Sequence, residues 1–232
     1  MCQRPFHFQN YPVPTNMMRL GYWAILLGAM GGVVALFWRS EFERGHPSAE
    51  ILDPVRAFPL TRPIPDFHLT NQFNMPVNLE SLAGFVWVAD VIFSTCPGQC
   101  HQLTRQMRAV QKRLPPGGSV RLVSLTADPE YDTPPVLDKY GQRYGYQPSN
   151  WLFLTGPKSP VYDLAIKGLL FSVVEQPENL RANVDDRFIH STAFALVDRD
   201  GLLRGVVQGE ETNAVEQILA RVNWLLIERR KP

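Results

Sequence analysis

Cysteine is scarce in this chain, three residues in 232, which excludes a disulfide-stapled scaffold. An excess of one charge is missing too. The 23 Lys and Arg offset 22 Asp and Glu to a net charge of +1, and no basic block stands out, so a nucleic-acid binder is excluded. Mean hydropathy is only −0.14, too low for a polytopic membrane protein. Internal repeats and low-complexity tracts are lacking, and 45% hydrophobic with 11% aromatic residues argues against disorder. Pro115, Pro116, Gly117 and Gly118 look like a phosphate loop by composition alone. Without a following Lys and Ser or Thr they read as a turn.

What is present is unevenly placed. Leu20 to Trp38 is a run of 19 residues with no charge, bounded by Arg19 and Arg39. At about 1.5 Å per residue a helix of that length spans roughly 28 Å, the thickness of a bilayer core. The run is expected to cross a membrane once, with Tyr22, Trp23 and Trp38 near the two interfaces. A cleaved signal peptide would need a small-x-small site, which Phe37-Trp38-Arg39-Ser40 does not supply. Arg4 and Arg19 before the run balance Arg39 and Arg44 after it, so charge does not orient it. The working assumption is a cell inner membrane protein with tail 1–19 inside and the rest on the exported, periplasmic side. Residues 39–65 hold five prolines and no apolar period, as a tether would. Residues 66–232 then form one domain.

Within that domain, strand and helix signals alternate. Gly84–Phe93 is an apolar, β-rich run suited to a central strand covered on both faces. Helical stretches are expected over 97–114, 133–144, 159–168 and 211–230, and strands over 119–125, 151–154, 193–197 and 202–207, the last two joined by a turn at 198–201. The order is that of an α/β layered domain with a terminal hairpin and helix.

The chemistry concentrates in Ser94-Thr-Cys-Pro-Gly-Gln-Cys-His101. Cys96 and Cys100 stand at i and i+4 where a buried strand meets a helix, so both sulfurs are expected to share one side of its first turn. A helix N-terminus favours the thiolate. A stapling disulfide is the plainer reading, but closing so short a loop stabilises by only about 2 kcal/mol. A reactive or metal-binding pair is therefore preferred. Of the five histidines, His7 and His46 lie in the tail and tether and His68 in the first strand region. His101 projects about 100° round the helix from Cys100. His190 precedes the strand 193–197, where the loop of a thioredoxin-like domain would face the cysteines. Two sulfurs and an imidazole suit copper in either oxidation state, whereas structural zinc calls for a fourth protein ligand. Asp90, in the apolar strand, reads equally as a buried base for a thiol proton or as a hydrogen-bonded structural carboxylate. Asp128 and Asp132 read as turn and helix-cap residues. Arg229, Arg230 and Lys231 complement a helix C-terminus.

Three segments together resemble the Sco/SenC family of membrane-anchored, thioredoxin-fold copper proteins. They are Cys96-Pro-Gly-Gln-Cys100, Leu125-Thr-Ala-Asp-Pro-Glu-Tyr-Asp-Thr-Pro134, and His190-Ser191 followed by Leu196-Val-Asp-Arg-Asp-Gly201. The resemblance covers residues 60–228 or so. It implies an α/β domain with a central mixed sheet flanked by helices, and a metallochaperone holding Cu(I) or Cu(II) through Cys96, Cys100 and His190. It also implies delivery to the copper site of cytochrome c oxidase subunit II or another cuproprotein acceptor, with a thiol reductant or copper donor protein as further partners. The alternative is a thiol-disulfide oxidoreductase in which Cys96 attacks and Cys100 resolves. His101 stands where the family generally has proline, which leaves open whether it tunes the metal or competes for it.

Overall fold

The computed structural model describes residues 28, 30–34, 60–115, 118–181 and 187–228. The chain divides into two compact units, Met1–Glu50 and Ile51–Pro232. Of the first, Gly28 and Met30–Val34 are described and are helical. Most of the expected membrane span, 20–38, thus lies outside the described residues, as do the tail, most of the tether, and Arg229, Arg230 and Lys231. Among the described residues no helix is long and apolar enough to cross a membrane.

In the second unit, β1 (Arg62–Pro63), β2 (His68–Asn71) and β3 (Pro76–Asn78) precede the strand that organises the rest, β4 (Val86–Ile92). Every residue of Val-Trp-Val-Ala-Asp-Val-Ile is buried, which is why that run shows no polar alternation. It pairs in parallel with β5 (Val120–Thr126) and antiparallel with β9 (Ala193–Val197), placing it mid-sheet. With β6 (Trp151–Thr155) and β10 (Leu202–Gln208), eight strands form one mixed sheet in the order β1-β10-β9-β4-β5-β6-β2-β3.

Helix α1 (Gln99–Arg113) joins β4 to β5, and α2 (Pro134–Arg143) joins β5 to β6. Both connect parallel strands stepping in the same direction, so right-handed crossovers put them on one face. There the Thr104 and Tyr140 hydroxyls meet at 2.6 Å. The apolar stripe Cys100, Leu103, Met107 and Val110 seats α1 on the sheet. Pro134 and Pro135 open α2, where their missing N–H groups cost nothing. Helix α3 (Lys158–Asp163) runs on into one π-helical turn, Leu164–Gly168, and α4 (Ala214–Ile227) ends the described chain.

Two boundaries differ from the sequence expectation. Residues 60–65 belong to the domain rather than the tether: β1 pairs with β10, and Ile64 is buried in the core. Prolines made this stretch read as linker, but a short edge strand tolerates them. The stretch before residue 193, which showed no clear period, contains a separate two-stranded sheet, β7 (Val173–Glu175) with β8 (Phe188–His190). Three-residue strands are too short to carry a periodic signal.

Gly209, after β10, is fixed by crowding. A Cβ there would lie 2.5 Å from the Leu103 side chain and 2.7 Å from the Thr192 carbonyl oxygen. Its own N–H donates to that same oxygen at 2.6 Å. Gly209→Ala is expected to destabilise the domain by about 1–3 kcal/mol, since backbone on one side cannot yield; denaturant unfolding measures it.

Candidate metal centre

Two separate pieces of chain form the site. The first is the turn between β4 and α1. The Cys96 N–H returns to the Phe93 carbonyl at 3.2 Å, Pro97 and Gly98 follow on the surface, and α1 begins at Gln99. Cys96 therefore stands before the helix rather than on its face, with Cys100 buried in the first turn. The expected convergence of the two sulfurs holds, but through this turn and not through helical i, i+4 spacing. Two residues upstream, Ser94 is tied to Asp132: its backbone N–H donates to Oδ2 at 3.0 Å and its hydroxyl donates to Oδ1. Thr126, the last residue of β5, donates its hydroxyl to Oδ2 at 2.6 Å.

The second piece is β8. Phe93 meets the rings of both Phe188 and His190 edge-on, with centroids 5.2 and 5.7 Å apart. His190 Nδ1 lies 3.0 Å from the Ser191 carbonyl oxygen, which can only accept; the proton is therefore on Nδ1 and Nε2 presents its lone pair. Nε2 is 3.2 Å from the Cys100 sulfur. Arg187, one residue before β8, forms an ion pair at 3.1 Å with the buried carboxylate of Asp128. Among the described residues, Cys96, Cys100 and His190 make the one group of three metal-ligating side chains, with donor atoms all within 4.8 Å of one another. Both cysteines are free thiols.

The two sulfurs differ in acidity. A hydrogen bond from the Cys100 thiol, helped by His190 and by the backbone at Gly98 and Cys100, holds Cys96 down at about 4 against the penalty of burial. Cys100 is pushed far up by burial, then by its bond to Cys96 and the charge there. At neutral pH the pair is one thiolate and one thiol. Asp90 lies wholly buried in β4, and neither of its oxygens has a hydrogen-bond partner. Burial raises it to about 7, offset in part by Ser124 and His190 alongside. A soft thiolate, a thiol able to become one, and a free imidazole nitrogen within one small volume fit a thiophilic ion.

His101 is not gathered into the group; its Nδ1 bonds the Tyr144 hydroxyl beyond α2. His68 begins β2 on the surface, and His7 and His46 lie outside the described residues. Asp132 is no helix cap. The N-cap of α2 is Thr133, and the Asp132 carboxylate is spent on Ser94 and Thr126. Sequence reading quoted Ser94 and Thr126 within its motifs but gave them no role, and it missed Arg187, because the partners of Ser94 and Arg187 are distant along the chain. The Asp-rich segment 128–134 was the available signal.

A family model described as SCO1/SenC matches residues 59–226. The chain belongs to the SCO1/SenC family. It is 36% identical over 166 residues to a SCO1 protein homolog of Bacillus subtilis, covering 71% of this chain and 83% of that protein. A Stutzerimonas stutzeri protein named as a candidate copper binder is 30% identical over 172 residues, covering 72% and 80%. Among solved structures, BsSco, described as having a disulfide switch and as one of the Sco family of cytochrome c oxidase assembly proteins, superposes with a TM-score of 0.60. It is 30% identical, over 73% of this chain and 96% of its own. The α/β domain is thus thioredoxin-like, as the three motifs implied, and the SCO1/SenC match covers both pieces of the site.

Proposed function

We propose that the chain is a membrane-anchored metallochaperone that carries one copper ion on Cys96, Cys100 and His190 and passes it to a cuproprotein, cytochrome c oxidase subunit II or a similar acceptor. One observation carries this reading: three donor atoms of copper-preferring type converge within 4.8 Å, and the imidazole is already turned with its free nitrogen inward. The cysteine-rich donor set suits Cu(I), and the imidazole extends it to Cu(II). A fourth protein ligand, which structural zinc calls for, is missing among the described residues. Copper is cargo here, and incoming acceptor ligands would displace these three in turn. The run 20–38 serves as a single-pass anchor, residues from 39 up to the start of the domain as the tether, and the domain lies on the exported side. Family membership and the S. stutzeri relative support copper; BsSco supports the link to oxidase assembly.

A second activity is favoured by the asymmetric thiols. Cys96, already a thiolate, would attack a partner disulfide and Cys100 would resolve the mixed disulfide, leaving the acceptor's cysteines reduced before loading. The two readings are separated by titrating the full chain with copper in its reduced and oxidised forms. One equivalent bound by the dithiol and none by the Cys96–Cys100 disulfide is expected. Failure of the dithiol to bind copper, with disulfide exchange intact, would leave the oxidoreductase reading alone.

A further inference from the structure

The segment from Ser94 to Gly98 carries Cys96, yet its own backbone supplies little to hold it. Cys96 N–H bonds Phe93, and Gly98 accepts from His101 at the helix entry. Thr95, Pro97 and Gly98 are exposed. What does hold the segment comes from a fully buried carboxylate 38 residues away in sequence. Asp132 accepts three hydrogen bonds, two of them from Ser94, and the third from Thr126 at the end of β5. A buried carboxylate is costly unless its oxygens are satisfied, and here most of that satisfaction is spent on the residue two places before Cys96. The usual alternative, capping α2, is ruled out, because Thr133 holds that position.

We propose that Asp132 is a positioning residue for the metal centre: it clamps Ser94 to β5 and thereby fixes the turn that brings the Cys96 sulfur against Cys100 and His190. It touches neither the sulfurs nor the imidazole. The proposal rests on the copper reading for its purpose, but the clamp itself can be tested without metal. The probe is the ultraviolet absorbance of the Cys96 thiolate, followed against pH in the reduced, metal-free full chain. Asp132→Asn, which cannot accept all three bonds, and Ser94→Ala, which removes only the hydroxyl arm, are compared with Thr126→Val. The last removes the third bond and leaves both Ser94 bonds in place.

Losing the clamp lets the sulfur drift from the groups that stabilise its charge, so the titration midpoint is expected to rise by a unit or more in Asp132→Asn, a tenfold loss of thiolate at pH values well below the wild-type midpoint. A smaller rise is expected in Ser94→Ala, and none in Thr126→Val even where its melting temperature falls. An unmoved midpoint in Asp132→Asn overturns the proposal, and so does an equal rise in Thr126→Val, which would mark general loosening. Should Asp132→Asn not fold, Ser94→Ala against Thr126→Val decides in the same way. In a parallel competition titration with Cu(I), Asp132→Asn is expected to bind about tenfold more weakly, about 1.4 kcal/mol. A wild-type chain that bound no copper would overturn the copper reading and leave the thiol titration to decide the clamp.

Discussion

Replacing His190 by alanine is expected to weaken Cu(II) binding by at least about 100-fold while leaving Cys96 and Cys100 able to form and break a disulfide. Removing a mere outer-shell partner of a metal ligand typically costs about 10–100-fold, and His190 is placed as a ligand itself. Its Nε2 is 3.2 Å from the Cys100 sulfur, with its ring steered by the Ser191 carbonyl and the edge of Phe93. The loss should be smaller for Cu(I), which two thiolates satisfy better than they satisfy Cu(II). Competitive titration with each oxidation state, beside a thiol-disulfide exchange assay, measures both halves. Unchanged Cu(II) affinity would remove His190 from the site, and lost disulfide chemistry would mean the imidazole serves the thiols first.

The second large effect concerns stability and lies one layer deeper. Asp90 is wholly buried without a hydrogen-bond partner and is raised from the ordinary carboxylate range to about 7 by burial. In the unfolded chain the same group gives up its proton near pH 4. Between those values the folded state holds a proton that the unfolded state has lost, so stability falls as pH rises. The contribution is full below pH 4 and gone above about 7. At about 1.4 kcal/mol per pH unit the change is on the order of 4 kcal/mol. Asp90→Asn, the same shape without the charge, should match the metal-free wild type near pH 4 and exceed it by that order near pH 8 in denaturant unfolding. If the two proteins show parallel pH profiles, Asp90 is ionised in the folded state with partners that burial alone does not suggest.

Much of this was legible before any coordinates. The run 84–93 announced a central strand because a strand covered on both faces has no reason to alternate, and β4 is that strand. The turn at Asp198–Gly201 was readable because Gly201 takes φ +75° and the Asp198 carboxylate collects the amides of Asp200 and Leu202. The gathering of Cys96, Cys100 and His190 was legible through motif order, a regularity of the family and not of the chain's periodicity. What stayed hidden had non-local causes. The β7–β8 hairpin is too short for a pattern. Asp132 looked like a cap because a carboxylate just before two prolines usually is one, and only the fold brings Ser94 to it. The membrane reading of 20–38 rests on its composition.

The hydrogen bond from His190 Nδ1 to the Ser191 carbonyl bears on the proton stoichiometry of loading. With the neutral ring's proton on Nδ1, Nε2 offers a lone pair, the Cys96 sulfur is held as a thiolate, and the Cys100 sulfur keeps the hydrogen that it donates to Cys96. An arriving ion therefore takes the place of one hydrogen, not two or three, and a departing ion needs only one returned to restore the vacant pair.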